Sequence, residues 1–140
     1  MKVAVIYSSQ SGNTEMMAQA INEGLLAEGA ESELFQASDF NPSKANEYDR
    51  LVFGSPSMGD EEIDQDFMDP LFSNIEKNIA GKEIALFGSY GWGDGQFLRS
   101  WIQRAQDSNA IVLNDGLLIN YTPDSDGINE CQAFGKTLAH

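Results

Sequence analysis

Short apolar runs recur along this chain, and stretches with helical spacing separate them. Val3-Ala-Val-Ile-Tyr7, Leu51-Val-Phe-Gly54, Ile84-Ala-Leu-Phe87 and Ala110-Ile-Val-Leu113 read as strands, the last continuing at Leu117-Leu-Ile119. Ser32 to Phe35 is a weaker strand. Between them, Met17, Ala20, Ile21, Gly24 and Leu25 share one face of a helix ending near Gly29. Asp69-Pro70 reads as an N-cap followed by proline at the first helical position, with Leu71, Phe72, Ile75 and Ile79 on the buried stripe and Gly81 closing the helix. Phe97, Leu98, Trp101, Ile102 and Ala105 stripe another helix, and Ile128, Cys131, Phe134 and Leu138 a last one entered at Thr122-Pro123. A strand without polar alternation is covered on both faces. Such strands alternating with helices predict an α/β chain with a parallel sheet and helices on either side. The connection between the second and third strands is expected to hold a weak helix, and only the link from Asp39 to Tyr48 has no clear pattern.

No repeat, linker or low-complexity tract divides the chain, so residues 1–140 are expected to form one domain. With 8 basic and 22 acidic residues the net charge is −14, which argues against nucleic acid and anionic membranes as partners and favours basic protein surfaces. The single cysteine, Cys131, allows neither an internal disulfide nor a cysteine-built metal site. It lies on an apolar helical stripe and reads as a core residue. His140 is the only histidine and the last residue, so no Ser-His or Cys-His nucleophile pair is available elsewhere. The apolar run after Met1-Lys2 is too short for a signal-peptide core, and none approaches the ~20 residues of a membrane span. The expected setting is the cytoplasm and the expected state a monomer.

A parallel sheet binds ligands outside the carboxyl ends of its strands. Three loops leave such ends with unusual composition. The first, Ser8-Ser9-Gln10-Ser11-Gly12-Asn13-Thr14, is polar and uncharged and precedes a helix. A helix N-terminus offers free N–H groups, and these hydroxyls and amides add neutral donors suited to a phosphate. No lysine is present for a nucleoside-triphosphate loop, and Gly12 alone does not make a dinucleotide fingerprint. A terminal monophosphate fits better; a plain helix cap is the alternative. The second loop is Gly54-Ser55-Pro56-Ser57-Met58-Gly59-Asp60-Glu61, and the third Gly88-Ser89-Tyr90-Gly91-Trp92-Gly93-Asp94-Gly95. Trp92 between two glycines is poorly placed for core packing. With the soft thioether of Met58 it could sandwich a flat heteroaromatic ring. A phosphate site plus a ring sandwich suggests a mononucleotide with a planar ring.

These three loops resemble those of the flavodoxins. The run Val5 to Thr14, followed by Ala18 and Ile21, is similar to the family signature at the same spacings, and "SMGDE" and "FGSYGWGDG" look like the FMN-clasping loops of its short-chain, clostridial-type members. The resemblance covers the whole chain, and strand 5 lacks the insertion of long-chain members. It implies a flavodoxin-like three-layer sandwich with a five-stranded parallel sheet of order 2-1-3-4-5; FMN at the switch point of that order is the family's own example. It implies that Ser9 to Thr14 hold the FMN phosphate with help from Ser89. Met58 would lie on the inner flavin face, Trp92 on the outer. Gly59-Asp60 would be the peptide that flips on reduction, and Glu61 would bond the flavin N3–H. Pro56, which removes an N–H, and Ser8, in place of an aromatic, depart from the pattern of some relatives.

The function so implied is a low-potential one-electron carrier, passing through a neutral semiquinone to an anionic hydroquinone among redox enzymes. The Gly59 carbonyl would accept from N5–H of the half-reduced flavin. Asp60, Glu61, Glu62, Asp64, Asp66 and Asp69, with no base among them, would lower the second couple and dock basic partners. The alternative is an NAD(P)H-dependent quinone or FMN reductase of the same fold. That reading wants cations and room for a nicotinamide dinucleotide, and these loops offer no basic residue. A phospho-accepting receiver domain needs acids after strand 1, where Ser8-Ser9 stand, and a lysine after strand 5, where Asn120-Tyr121 stand.

Overall fold

A computed structural model describes residues 1–140. Strands β1 (Lys2–Tyr7), β2 (Glu31–Gln36), β3 (Arg50–Pro56), β4 (Glu83–Tyr90), β5 (Ile111–Val112) and β6 (Leu117–Asn120) pair in parallel throughout. The order is β2-β1-β3-β4-β5, with β6 also on β4. The strand expected from Ala110 to Ile119 is thus one edge strand broken in the middle. Asn114 (φ 54°) and Gly116 (φ 79°) turn the chain out between its halves, and Gly116 N donates to Asn114 Oδ1 at 3.0 Å. Both halves return to the same neighbour.

Alternation along the strands builds two cores. Ala4, Ile6, Leu51, Phe53, Ile84 and Leu86 face α2 (Met68–Ile75) and α3 (Gln96–Asp107). There Phe53, Phe72 and Trp101 meet ring to ring, with centroids 5.2–6.4 Å apart. Val3, Val5, Val52, Ala85 and Phe87 face α1 (Asn13–Ala27) and α4 (Ser125–Leu138). Each buried Val, Leu, Ile or Phe side chain among these contributes roughly 1.5–3 kcal/mol. Helices α1 and α4 touch backbone to backbone: a Cβ on Gly24 would collide with Gln132 O, and one on Gly135 with Ile21 O.

Two expectations need correction. The unpatterned link between β2 and β3 holds no α-helix. Short 3-10 turns at Ala37–Asp39 and Pro42–Glu47 carry the chain across, covered by the Phe35–Phe40–Tyr48 aromatic group. Asp69 does not cap α2. Asp64, only 1% exposed, accepts from Phe67 N at 2.9 Å and Met68 N at 3.0 Å. Asp69 lies in the first turn and its Oδ1 accepts from Arg104 Nη1 at 2.6 Å. Arg104 also binds Glu76 and Ser73 and covers the Phe72 ring, tying α3 to α2.

Cys131 sits fully buried between α4 and α1. Burial, aided by the charge of Glu130, pushes its thiol pKa up to about 12. Above the ordinary thiol pKa of about 8.5 the unfolded chain loses this proton while the native one keeps it. Stability is therefore intact below that pH and falls by about 1.4 kcal/mol per unit as pH rises toward the native pKa. Denaturant midpoints measured from pH 8 to 11 should fall for the parent and fall less for Cys131→Ala. Equal slopes would refute the assignment.

Candidate functional site

The three loops meet at the carboxyl end of β1, β3 and β4. Strand β1 ends at Tyr7, and Ser8 N still donates to Gly54 O at 3.0 Å. The chain then turns through Gly12, whose φ of 94° caps α1 in a left-handed conformation. Ser9 Oγ fixes that turn, accepting from Gly12 N at 3.1 Å and Glu15 N at 3.3 Å. The N–H groups of Gln10, Ser11, Asn13 and Thr14 are left without a protein acceptor. Thr14 Oγ1 and Ser89 Oγ lie 2.7 Å apart, buried, and join the first loop to the third.

In the second loop, Ser57 N donates to Ser89 O at 2.8 Å and prolongs the β3–β4 ladder. Met58 and Glu62 exchange two backbone bonds of 2.7 and 2.9 Å, pinching off Gly59, Asp60 and Glu61 as a tight hairpin. Gly59 (φ 52°) and Glu61 (φ 58°) make the turn, and a Cβ on Gly59 would meet nothing within 4 Å. Ser55, expected at the ligand, is fully buried. Its hydroxyl accepts from Asp64 N at 2.8 Å and donates to Pro56 O at 2.9 Å, so it holds the second loop in shape.

The third loop carries Trp92 out into solvent, 70% exposed. Its neighbours are anchored: Glu61 Oε1 accepts from Asp94 N at 3.4 Å and packs so closely on Gly93 that no Cβ would fit there. Glu61 therefore ties the second loop to the third. Asp94 pairs with Arg99 at 3.1 Å.

A cleft of about 220 Å³ lies between the loops, lined by Gln10, Ser11, Asn13, Pro56, Ser57, Met58, Ser89, Tyr90, Gly91 and Tyr121. All three sequence-derived loops thus reach one place. A fourth, after β6, was missed. Tyr121, 61% exposed at φ 58°, packs on Gly91; Asn120 Nδ2 donates to Gly91 O at 2.9 Å; Thr122 Oγ1 donates to Asn13 Oδ1 at 2.9 Å. The signal was available: an aromatic just past the carboxyl end of the last strand falls under the same rule that selected the other loops.

A family model described as Flavodoxin matches residues 5–135. The chain belongs to the flavodoxin family. Curated flavodoxins of Megasphaera elsdenii and Clostridium beijerinckii are 36% and 35% identical, each alignment covering 97–98% of this chain and 98% of the relative. The solution structure of two-electron reduced Megasphaera elsdenii flavodoxin superposes with a TM-score of 0.88 over 98% of both chains. That of an archaeal flavodoxin, 26% identical, superposes at 0.90 over 99% of this chain and 96% of the other. The sheet order and the helices on both faces are those of this fold. As a flavodoxin, the chain binds FMN and transfers electrons rather than turning over a substrate, and the reductase alternative is not favoured. Its residues fit that cofactor on their own chemistry. Four unclaimed N–H groups at a helix N-terminus suit a phosphate, and the polar cleft beside Met58, Tyr90 and Tyr121 can take the rest of a mononucleotide. No helix is long and apolar enough to cross a membrane.

Proposed function

We propose that this flavodoxin is a low-potential, monomeric, single-domain carrier of the cytoplasm, with the first loop as its phosphate cradle and the 58–62 hairpin as its redox control. The observation that carries the reading is the set of unclaimed N–H groups of Gln10, Ser11, Asn13 and Thr14 opening beside that hairpin. Bound FMN supplies one-electron redox chemistry in two steps. The protein's part is to hold it, exclude water and set the two potentials. Ser11, Asn13 and Thr14 join their N–H groups in holding the phosphate, and Ser9 and Ser55 keep the loops in shape. Met58 and Trp92 would cover the ring, and Glu61 would accept from its N3–H. An anaerobic reductive titration followed by visible absorbance tests this. Two resolved one-electron steps are expected; a single two-electron step would remove the carrier reading.

Gly59 would offer its carbonyl as a hydrogen-bond acceptor to the flavin when FMN is bound. Its turn is already left-handed, and glycine alone takes such φ values without a Cβ penalty. One hydrogen bond is worth ~0.5–1.5 kcal/mol, and ~1.4 kcal/mol corresponds to ~59 mV for one electron. Gly59→Ala should shift the first couple by tens of millivolts in spectroelectrochemistry. An unchanged couple would sink this role.

The acidic stretch acts on the second couple, but with fewer charges than the sequence suggests. Asp69 is paired with Arg104, while Asp64 keeps its charge but is held in capping α2 and Glu61 is held against the third loop. Asp60, Glu62 and Asp66 remain exposed, with no cation paired to them. An acid ~10 Å from an added electron lowers the potential by roughly 20–70 mV before salt screening. The triple variant Asp60→Asn, Glu62→Gln, Asp66→Asn should raise the second couple by several tens of millivolts. It should also weaken the salt dependence of electron transfer to a basic protein partner. Unchanged values of both would leave the acids a solvated face only.

A further inference from the structure

A second cleft, of about 450 Å³, opens on the far wall of the phosphate loop, between the carboxyl ends of β1 and β2. Ser8, Gln10, Glu15, Gln36, Ser38 and Phe67 line it. Ser8 is more than nine-tenths buried, yet its hydroxyl has no partner in the protein. Glu15 Oε2 accepts from Tyr7 Oη at 2.8 Å, and Oε1 has no protein donor. Phe67 stands 52% exposed at the rim although the next residue, Met68, is fully buried. No lysine or arginine lines the cleft.

From this geometry we infer that the cleft is a nucleoside subsite, taking a neutral ribose with an attached purine. A phosphate lying in the cleft itself, away from the N–H groups of the first loop, would meet one carboxylate and no cation, so a separate anionic occupant is disfavoured and any linking phosphate must stay in the first-loop cradle. Ribose hydroxyls suit the place: they can donate to Glu15 and to the amide oxygens of Gln10 and Gln36. Phe67 offers an apolar face on which a base can stack. Topology agrees. In doubly wound sheets that hold dinucleotides, the pyrophosphate sits at the first helix N-terminus and an acidic side chain about 20 residues further on takes the ribose hydroxyls; here that region is the end of β2, where Gln36 lines the cleft. Here the FMN phosphate cradle and the second cleft share Gln10, Ser11 and Gly12. The inference rests on the FMN reading only through that shared wall. The nucleoside could be the adenosine half of a flavin dinucleotide or a free nucleoside.

Adenosine titrated into the FMN-loaded protein, by calorimetry and by amide NMR shifts, tests the cleft. Saturable binding at roughly millimolar or tighter affinity is expected, with shifts at Ser8, Gln36, Ser38 and Phe67. Gln36→Ala and Phe67→Ala should each weaken it about fivefold and leave FMN affinity unchanged. Flavin adenine dinucleotide offered to the stripped protein then separates the sources. Uptake with the same shifts means the joined form; refusal, with adenosine still bound, means a free nucleoside. No saturation up to about 10 mM adenosine, with FMN bound normally, overturns the inference. Failure of FMN itself to bind would instead strike the cofactor assignment, and adenosine added to the same protein would still decide the cleft.

Discussion

Stripped of its flavin, the protein is expected to take up riboflavin at least about 100-fold more weakly than FMN. The first loop presents four N–H groups with no acceptor of their own. A hydrogen bond to a charged group is worth about 1.5–3 kcal/mol, so losing two of them already costs roughly 3–6 kcal/mol, or 10²–10⁴ in affinity. Salt dependence gives a second, sharper test. No lysine or arginine lies in the first, second or third loop, and the protein carries a net charge of −14. A dianion held by dipoles approaches against the field of the whole molecule. Added salt screens that repulsion and should strengthen FMN binding rather than weaken it. Fluorescence titration of the stripped protein at about 20 and 500 mM salt reads both effects, using a Debye length that shrinks from ~20 to ~4 Å. Equal affinity for riboflavin, or FMN affinity that falls with salt, would mean that the phosphate is held elsewhere.

That cradle was legible because its chemistry is local. Ser9, Gly12 and Thr14 are neighbours in sequence, and the preceding strand and following helix fix their orientation. The sheet order was legible only through the loops' resemblance to a family, since periodicity alone does not say which strands are adjacent. What escaped depends on partners far along the chain. Asp69-Pro70 has the local form of a helix start, but Asp64 wins the cap because its backbone N–H is already anchored on Ser55, nine residues back. Asp69 is then free for Arg104, thirty-five residues away. The loop-holding role of Ser55 was hidden for the same reason. Its place in a polar loop is visible in sequence; its two internal hydrogen bonds are not. The position of Tyr121 just past the last strand was legible, but the Asn120 clamp on the Gly91 carbonyl that fixes this fourth loop against the third reaches across the sheet edge and no local pattern announces it.

Asp64→Ala should be among the most damaging single changes near the site, lowering stability by about 2–4 kcal/mol. The carboxylate is 1% exposed and satisfies the N–H groups of Phe67 and Met68, the latter fully buried. Alanine leaves those donors without an acceptor where water does not readily reach, at roughly 1–3 kcal/mol each. For a chain of this size the melting temperature should drop by about 6–15 °C. Asp64→Asn keeps one acceptor oxygen and should lose about half as much. Asp66→Ala, two residues on and exposed, is the control, with an expected change within about 0.5 kcal/mol. The effect should not stop at stability. Asp64 joins Ser55, at the end of β3, to the first turn of α2, and the Met58–Glu62 hairpin is strung between those two anchors. Loosening one anchor lets Gly59 sample turns other than its left-handed one, so the first couple should move in the same direction as in Gly59→Ala. A variant that melts with the parent would show that the cap is dispensable. One that melts early but keeps the parent's first couple would show that the hairpin holds its shape through its own two hydrogen bonds, without help from the helix behind it.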